Sequence, residues 1–382
     1  MGCRHSHDHL VTANEVQGTD SRGTSLPLNQ HHNGTGAMDG HVKATPKACP
    51  PVNTTSTDGR PELELTTRTP SLVPQWDLLL AELSVEHNIA KGSYCRVLAC
   101  QLHGKHAAIK MPRADFSNLD GVIADLNNEI SILKRLTSHP HLTAVYGAGG
   151  TRAGEMPFLV LERLQSTNLC QQLGTDAADA HTLLARIRAP RVRKRFPFRR
   201  RLDLGLQLIR LLRYLHQEAV PNGFVVHRDL KSSNMGLSED GQLKVFDFGL
   251  ARIMEQRNPL TERYVMTGKT GSQRFMAPEV FSRSSYNEKA DIFSYAIVLW
   301  ELCALKKPFA GMNAQQHSRK VFEEGFRPRV DRRWPAELEG LLDGCWEADP
   351  DSRLSAADAA DTLMGIVQNV HARRDPAEFD KL

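Results

Sequence analysis

Residues 292–302, IFSYAIVLWEL, are apolar nearly all round. A surface helix needs only one apolar stripe, so a helix without a polar face is stable only inside a domain, enclosed by other elements. This segment commits the later part of the chain to a helical body. Residues 202–216 supply one amphipathic helix to wrap it. The earlier part has a different period. Residues 94–100 and 106–111 read as strands joined by a turn at Gly104, and 143–146 and 158–161 as further strands. Between them Leu126, Ile130, Leu133 and Leu136 recur at helical spacing. A strand-rich part followed by a helical part predicts an α+β fold of two lobes, with a ligand in the cleft between them.

Order is expected to begin near Trp76. Residues 1–75 are rich in Gly, Thr, Ser, Asn, Pro and His, poor in aromatics and without period. Such a segment buries too little apolar surface to offset its ordering entropy and reads as a disordered tail. The seven cysteines are scattered, with no CxxC pair, which suits reduced thiols in a cytoplasmic chain. No stretch approaches the roughly 20 apolar residues of a spanning helix. A formal charge of +4 gives no reason to expect a nucleic-acid partner.

The chemistry concentrates in His227-Arg228-Asp229-Leu230-Lys231-Ser232-Ser233-Asn234, then Asp247-Phe248-Gly249, then Ala277-Pro278-Glu279. In this order and spacing the chain resembles the eukaryotic protein kinase superfamily over roughly residues 80–370. The resemblance implies a small β-rich lobe at about 80–162 and a mainly helical lobe at about 165–370. It also implies ATP and Mg2+ as cofactors. Phosphoryl transfer asks for alignment and for neutralisation of a polyanion. Asp247 and Asn234 are hard oxygen donors suited to magnesium. Asp229, five residues before Asn234, would orient the attacking hydroxyl and take its proton, and Lys231 would neutralise the γ-phosphate.

Ala107-Ala108-Ile109-Lys110 resembles the strand whose lysine holds the α- and β-phosphates. Glu129 lies three residues after Leu126 and four before Leu133, on the inward face of its helix. A charge facing inward needs a partner, and the resemblance names Lys110. The glycine-rich loop departs from the family pattern: in Ala90-Lys91-Gly92-Ser93-Tyr94-Cys95-Arg96-Val97 only the middle glycine is kept. Glycines there let backbone amides approach phosphates. Gly236 stands where relatives place an aliphatic floor beneath adenine, which predicts less apolar contact. Val97, Ala108 and the hinge Glu162-Arg163-Leu164 would form the rest of the slot, with Leu161 at its back. Cys95, near Lys110 and Arg96, is expected to favour its thiolate.

Lys231 and Gly271-Ser272 resemble Ser/Thr kinases. The stretches 290–295, 298–302 and Cys345-Trp346 resemble their tyrosine-kinase-like group, which also includes dual-specificity members. Asp291 would tie the buried helix to the catalytic loop, and Arg353 would pair with Glu279. Protein substrates follow, together with an upstream kinase or self-phosphorylation at Thr261, Tyr264, Thr267 or Thr270. The altered loop and Gly236 keep a second reading open, a pseudokinase acting as a nucleotide-binding scaffold. The basic insert 186–201 reads as a solvated loop, a dock for an acidic partner or a contact with an anionic membrane. Met1-Gly2-Cys3-Arg4-His5-Ser6 fits an N-myristoylation signal, with Cys3 as a palmitoyl site, anchoring the chain to the cytoplasmic face of a membrane.

Overall fold

The computed structural model describes residues 73–372, except 93, 153, 166, 177–182, 256–262 and 269–270; of 91 and 183–188 it describes the backbone alone. The tail, the acylation signal, Thr261 and Thr270 lie outside the described residues.

Strands β1 (Gln75–Leu78), β2 (Leu83–Lys91), β3 (Cys95–Leu102) and β4 (Lys105–Pro112) precede helix α1 (Leu119–Arg135), followed by β5 (Val145–Gly149) and β6 (Phe158–Glu162). They form one six-stranded sheet in the order β1-β5-β6-β4-β3-β2. Only the β1–β5 pairing is parallel. His103 and Gly104 both have positive φ, 50° and 77°, so the turn from β3 to β4 twists with its strands. The strand expected at 143–146 starts later, at Val145. Thr143 is spent elsewhere: its N–H and its hydroxyl both donate to the Val245 carbonyl, at 3.0 and 2.9 Å.

Asn118 caps α1 by accepting from Gly121 N at 3.2 Å. The helix buries Val122, Leu126, Glu129, Ile130 and Leu133 on one face.

The helical part contains α2 (Leu169–Leu173), α3 (Leu183–Arg195), α4 (Phe198–Gln217), α5 (Pro278–Phe281), α6 (Lys289–Ala304), α7 (Ala314–His317), α8 (Ala336–Cys345) and α9 (Ala356–Ala372). The short strands β7 (Phe224–Val226), β8 (Met235–Leu237), β9 (Leu243–Val245) and β10 (Arg252–Met254) run between α4 and α5. Helix α6 is buried at every position from Ala290 to Cys303 and packs against α4 and α8. This is the enclosed helix that its composition demands.

The basic insert is no loop. Its first part is the helix α3, and its end is sunk into the helical core. Phe196, Phe198 and Arg201 are all fully buried. Arg201 donates from Nε to Phe196 O at 2.8 Å and from Nη1 to Cys303 O at 2.6 Å. A buried guanidinium is tolerated where carbonyls receive its protons, and here it locks the start of α4 to the end of α6.

Candidate active site

Register builds the upper wall of the cleft. Across the sheet Ala90 pairs with Val97, Val97 with Lys110, and Lys110 with Leu159. Ala108 pairs with Leu161. Side chains alternate along a strand, and cross-strand partners share a face, so Ala90, Val97, Ala108, Lys110 and Leu161 line one surface. The amide of Gly92 donates to Cys95 O at 3.0 Å, closing the turn between β2 and β3 despite the missing outer glycines.

Lys110 Nζ lies 2.7 Å from both Glu129 Oε2 and Asp247 Oδ1. Burial works against its ammonium, but these carboxylates outweigh burial and raise its pKa above the ordinary lysine value. Lys110 in turn holds the Asp247 carboxyl below the ordinary range. Glu129 is 1% exposed, and its second oxygen accepts from Phe248 N at 3.1 Å. Asp247 has φ +71°, a left-handed conformation that only a firm surround maintains outside glycine.

The catalytic loop hangs from α6. The buried Asp291 accepts from His227 N at 2.7 Å and Arg228 N at 2.9 Å, with His216 Nε2 at 3.2 Å. Burial pushes the Asp291 carboxyl up, but the bond to His216 and the charges of both histidines bring it below the ordinary value. On this support Lys231 Nζ bridges Asp229 Oδ2 at 2.6 Å and Ser272 Oγ at 2.8 Å. Ser272 N donates to Asp229 Oδ1 at 2.9 Å, and Asn234 Nδ2 to Asp229 O and Oδ2 at 3.0 and 3.1 Å. Gly271 makes this approach feasible: its φ is +94°, and a Cβ there would lie 2.5 Å from Arg228 O.

The β8–β9 register pairs Met235 with Val245, and Phe246 N donates to Asn234 O at 3.1 Å. Asn234 and Asp247 are thereby brought to the same end of one hairpin. Their donors, an amide oxygen and a carboxylate held ionised, fit magnesium.

Two expectations change here, those for Gly236 and Cys95, and the one for Glu162 is narrowed. The Glu162 side chain accepts from Ala144 N at 2.8 Å and pairs with Lys244 at 2.9 Å, so its carboxylate serves the junction between the two parts and only its backbone is left for the slot. The space above Gly236 is not bare: a Cβ there would meet Leu164 Cδ1 at 2.8 Å and Phe246 Cε1 at 3.6 Å. Cys95 is not activated; burial pushes its thiol pKa up by more than Lys110 draws it down.

Asn128 and the cavity beside Lys231 were not singled out by the sequence, whereas Arg228 stands in the His227–Asn234 motif and Thr267 among the expected phosphorylation sites. Asn128 Nδ2 donates to Gly249 O at 2.8 Å and Ala251 O at 3.3 Å, tying α1 to the Asp247 segment. Arg228 donates to Tyr286 Oη at 2.7 Å, Leu250 O at 3.1 Å and Thr267 O at 2.8 Å, and also meets the Thr267 hydroxyl. A cavity of about 470 Å³ opens beside Lys231 and Ser272, lined also by Thr175, Glu301, Lys307 and His317. The signal for these is contact between distant segments, which no short motif carries.

Comparison with known proteins agrees with this geometry. The family model described as protein tyrosine and serine/threonine kinase matches residues 83–363. The protein named "Probable serine/threonine-protein kinase drkD", from Dictyostelium discoideum, is 32% identical over 77% of this chain and 20% of its own length. Two similar Arabidopsis thaliana proteins are serine/threonine-protein kinase STY17 and serine/threonine-protein kinase VIK. STY17 is 28% identical over 86% of this chain and 50% of its own length. VIK is 32% identical over 77% of this chain and 63% of its own length. The match therefore spans from a fifth to under two thirds of these relatives. The chain belongs to the protein tyrosine and serine/threonine kinase family, within its tyrosine-kinase-like group of Ser/Thr kinases.

Proposed function

We propose that the chain transfers the γ-phosphoryl group of ATP to serine or threonine hydroxyls of protein substrates. The observation that carries this reading is the Lys231 bridge between Asp229 and Ser272, at 2.6 and 2.8 Å. It supports the reading because a carboxylate, an ammonium and a hydroxyl meet there, the groups that transfer to a substrate hydroxyl would need. Asp229 orients that hydroxyl and receives its proton. Lys231 stands ready for the charge that develops during transfer. Lys110, held protonated by Glu129 and Asp247, binds the inner phosphates. Asn234 and Asp247 would hold magnesium, which when bound would supply charge neutralisation.

The test is purified protein with magnesium-ATP on a peptide array, read for turnover and for the residue modified. Phosphoserine and phosphothreonine are expected. Nucleotide binding with no transfer would make the chain a scaffold instead.

Two extensions belong to the same proposal. Thr267 is exposed and its hydroxyl already meets Arg228, so a phosphate placed there by an upstream kinase or by the chain itself would pair with Arg228 and order the segment. Dephosphorylated protein and Thr267→Ala should be slower than phosphorylated wild type, and equal rates would remove the switch. Acylation at Gly2 and Cys3 would hold the chain on a membrane, since myristate alone binds marginally. Labelling with myristate and palmitate analogues, with Gly2→Ala as control, decides it. No described helix is long and apolar enough to cross a membrane.

A further inference from the structure

Gly236 is buried in β8, opposite Lys244 of β9, and lacks the side chain that would face the cleft. The ideal Cβ position reports what occupies that direction instead: Leu164 Cδ1 at 2.8 Å, Leu164 Cβ at 3.5 Å and Phe246 Cε1 at 3.6 Å. Leu164 comes from the segment just after β6, and Phe246 immediately precedes Asp247. Two residues from separate segments thus converge on the space left by one.

Neither is sunk in the core. Leu164 and Phe246 are both partly exposed, although Met235 and Leu237 on either side of Gly236 and Val245 beside Phe246 are fully buried. A phenylalanine ring left partly open beside an aspartate forfeits part of the stabilisation that burial would bring. Covering it with a flat apolar ligand recovers that stabilisation. The ring lies one residue from the carboxylate read above as a metal ligand, so a ligand with a flat ring at one end and phosphates at the other could touch both.

We infer that Phe246, together with Leu164, forms the floor of the nucleobase slot in place of a side chain at position 236. The inference rests on the ATP reading above and assigns the base-contacting residues within it. Phe246 then contributes stacking area to a purine, and the absence of a Cβ at 236 is what gives Leu164 and the ring their places. The two features form one exchange: a larger residue at 236 collides with Leu164, while a smaller one at 246 leaves the base unsupported. The loss of apolar contact expected from Gly236 alone is thereby offset.

The experiment measures the Kd of ATP with magnesium by calorimetry on the full chain, beside the KM values for ATP and for a peptide. Base–aromatic stacking removed by alanine typically costs about tenfold or more in affinity. Phe246→Ala should therefore raise the ATP Kd and KM about tenfold while leaving the peptide KM and the unliganded melting temperature near wild type. Phe246→Leu, which keeps bulk without a flat ring, should give a smaller rise of about threefold and covers the case in which the alanine variant does not fold. In a Gly236→Val/Leu164→Ala background, which rebuilds an aliphatic floor, Phe246→Leu should cost almost nothing. ATP affinity unchanged in both Phe246 variants overturns the inference. So does tighter binding, since the ring would then be a plug and not a floor. Wild type that binds no ATP would remove the kinase reading itself, a result separate from either.

Discussion

Lys110 and Arg353 each meet a buried glutamate at under 3 Å, but their surroundings differ in what they leave open. Arg353 forks onto both oxygens of Glu279, at 2.8 and 3.2 Å, and its remaining protons go to the carbonyls of Glu347, Lys289 and Ala348. The side chains are 0% and 7% exposed. One cation meets one anion, and nothing faces outward. Lys110 serves two carboxylates, and the second, Asp247, is 42% exposed with strained backbone. That cluster sets one lysine against two carboxylates, one buried and one partly open. The closed pair fastens the helical part together. The open cluster leaves one of its carboxylates facing solvent.

The first way to break this comparison is to attack the open cluster and the catalytic loop. Lys110→Met and Asp229→Asn should each lower kcat/KM by about 10²–10⁴ or more, the range for losing an electrostatic or general-base group. Asp229→Asn should leave the melting temperature close to wild type, while Lys110→Met leaves the buried Glu129 without its cation and should lower it. Preserved turnover in either variant, with contaminating kinase excluded, would remove the roles assigned here.

The closed pair should answer in the opposite currency. Glu279→Ala strands the Arg353 guanidinium in the core, and removing one partner of a buried pair typically costs about 3–5 kcal/mol. Denaturant unfolding should show that loss, while the fraction still folded keeps near-normal affinity for ATP. A Glu279→Ala protein as stable as wild type would mean the pair contributes little, and the contrast with Lys110 would fail.

The same contrast explains what was legible beforehand. Asp229, Lys231, Asn234 and Asp247 act through a short loop and a hairpin, so spacing along the chain nearly specifies their spacing in three dimensions. Glu129 was placed by helical period, and Arg353 and Asp291 by resemblance. The misreadings all depend on long-range packing. The insert reads as a solvated loop, and its residues 190–195 are mostly exposed, but they lie on a helix whose end Phe196 and Phe198 anchor, and nothing in a run of arginines says that Arg201 would cap two carbonyls inside the core. Cys95 reads as activated because Lys110 is near in sequence pattern, but burial decides its thiol. Gly236 reads as a missing contact because one position cannot report that Leu164 and Phe246 converge on it.

The smallest expected effect concerns a group that belongs to neither cluster. Glu301 lies in the last turn of the buried helix α6, is 2% exposed and accepts from Thr175 Oγ1 at 2.5 Å, with Ser232 as a further hydrogen-bonding neighbour. Burial raises its pKa from the ordinary 4.5 to about 7. A raised carboxyl pKa means that the folded state holds a proton the unfolded chain has already released. Its contribution to stability is therefore fully present below pH 4.5 and is lost as pH rises towards 7, by on the order of 3 kcal/mol at most. Other groups titrate in the same window, so the useful quantity is the difference from Glu301→Gln, which carries no such proton. Relative to wild type the glutamine variant should gain stability steadily from pH 5 to 7.5 and then level off. Parallel stability curves across that range would mean that Glu301 stays ionised in the fold, with its charge answered by Lys307 and Arg274 across the cavity.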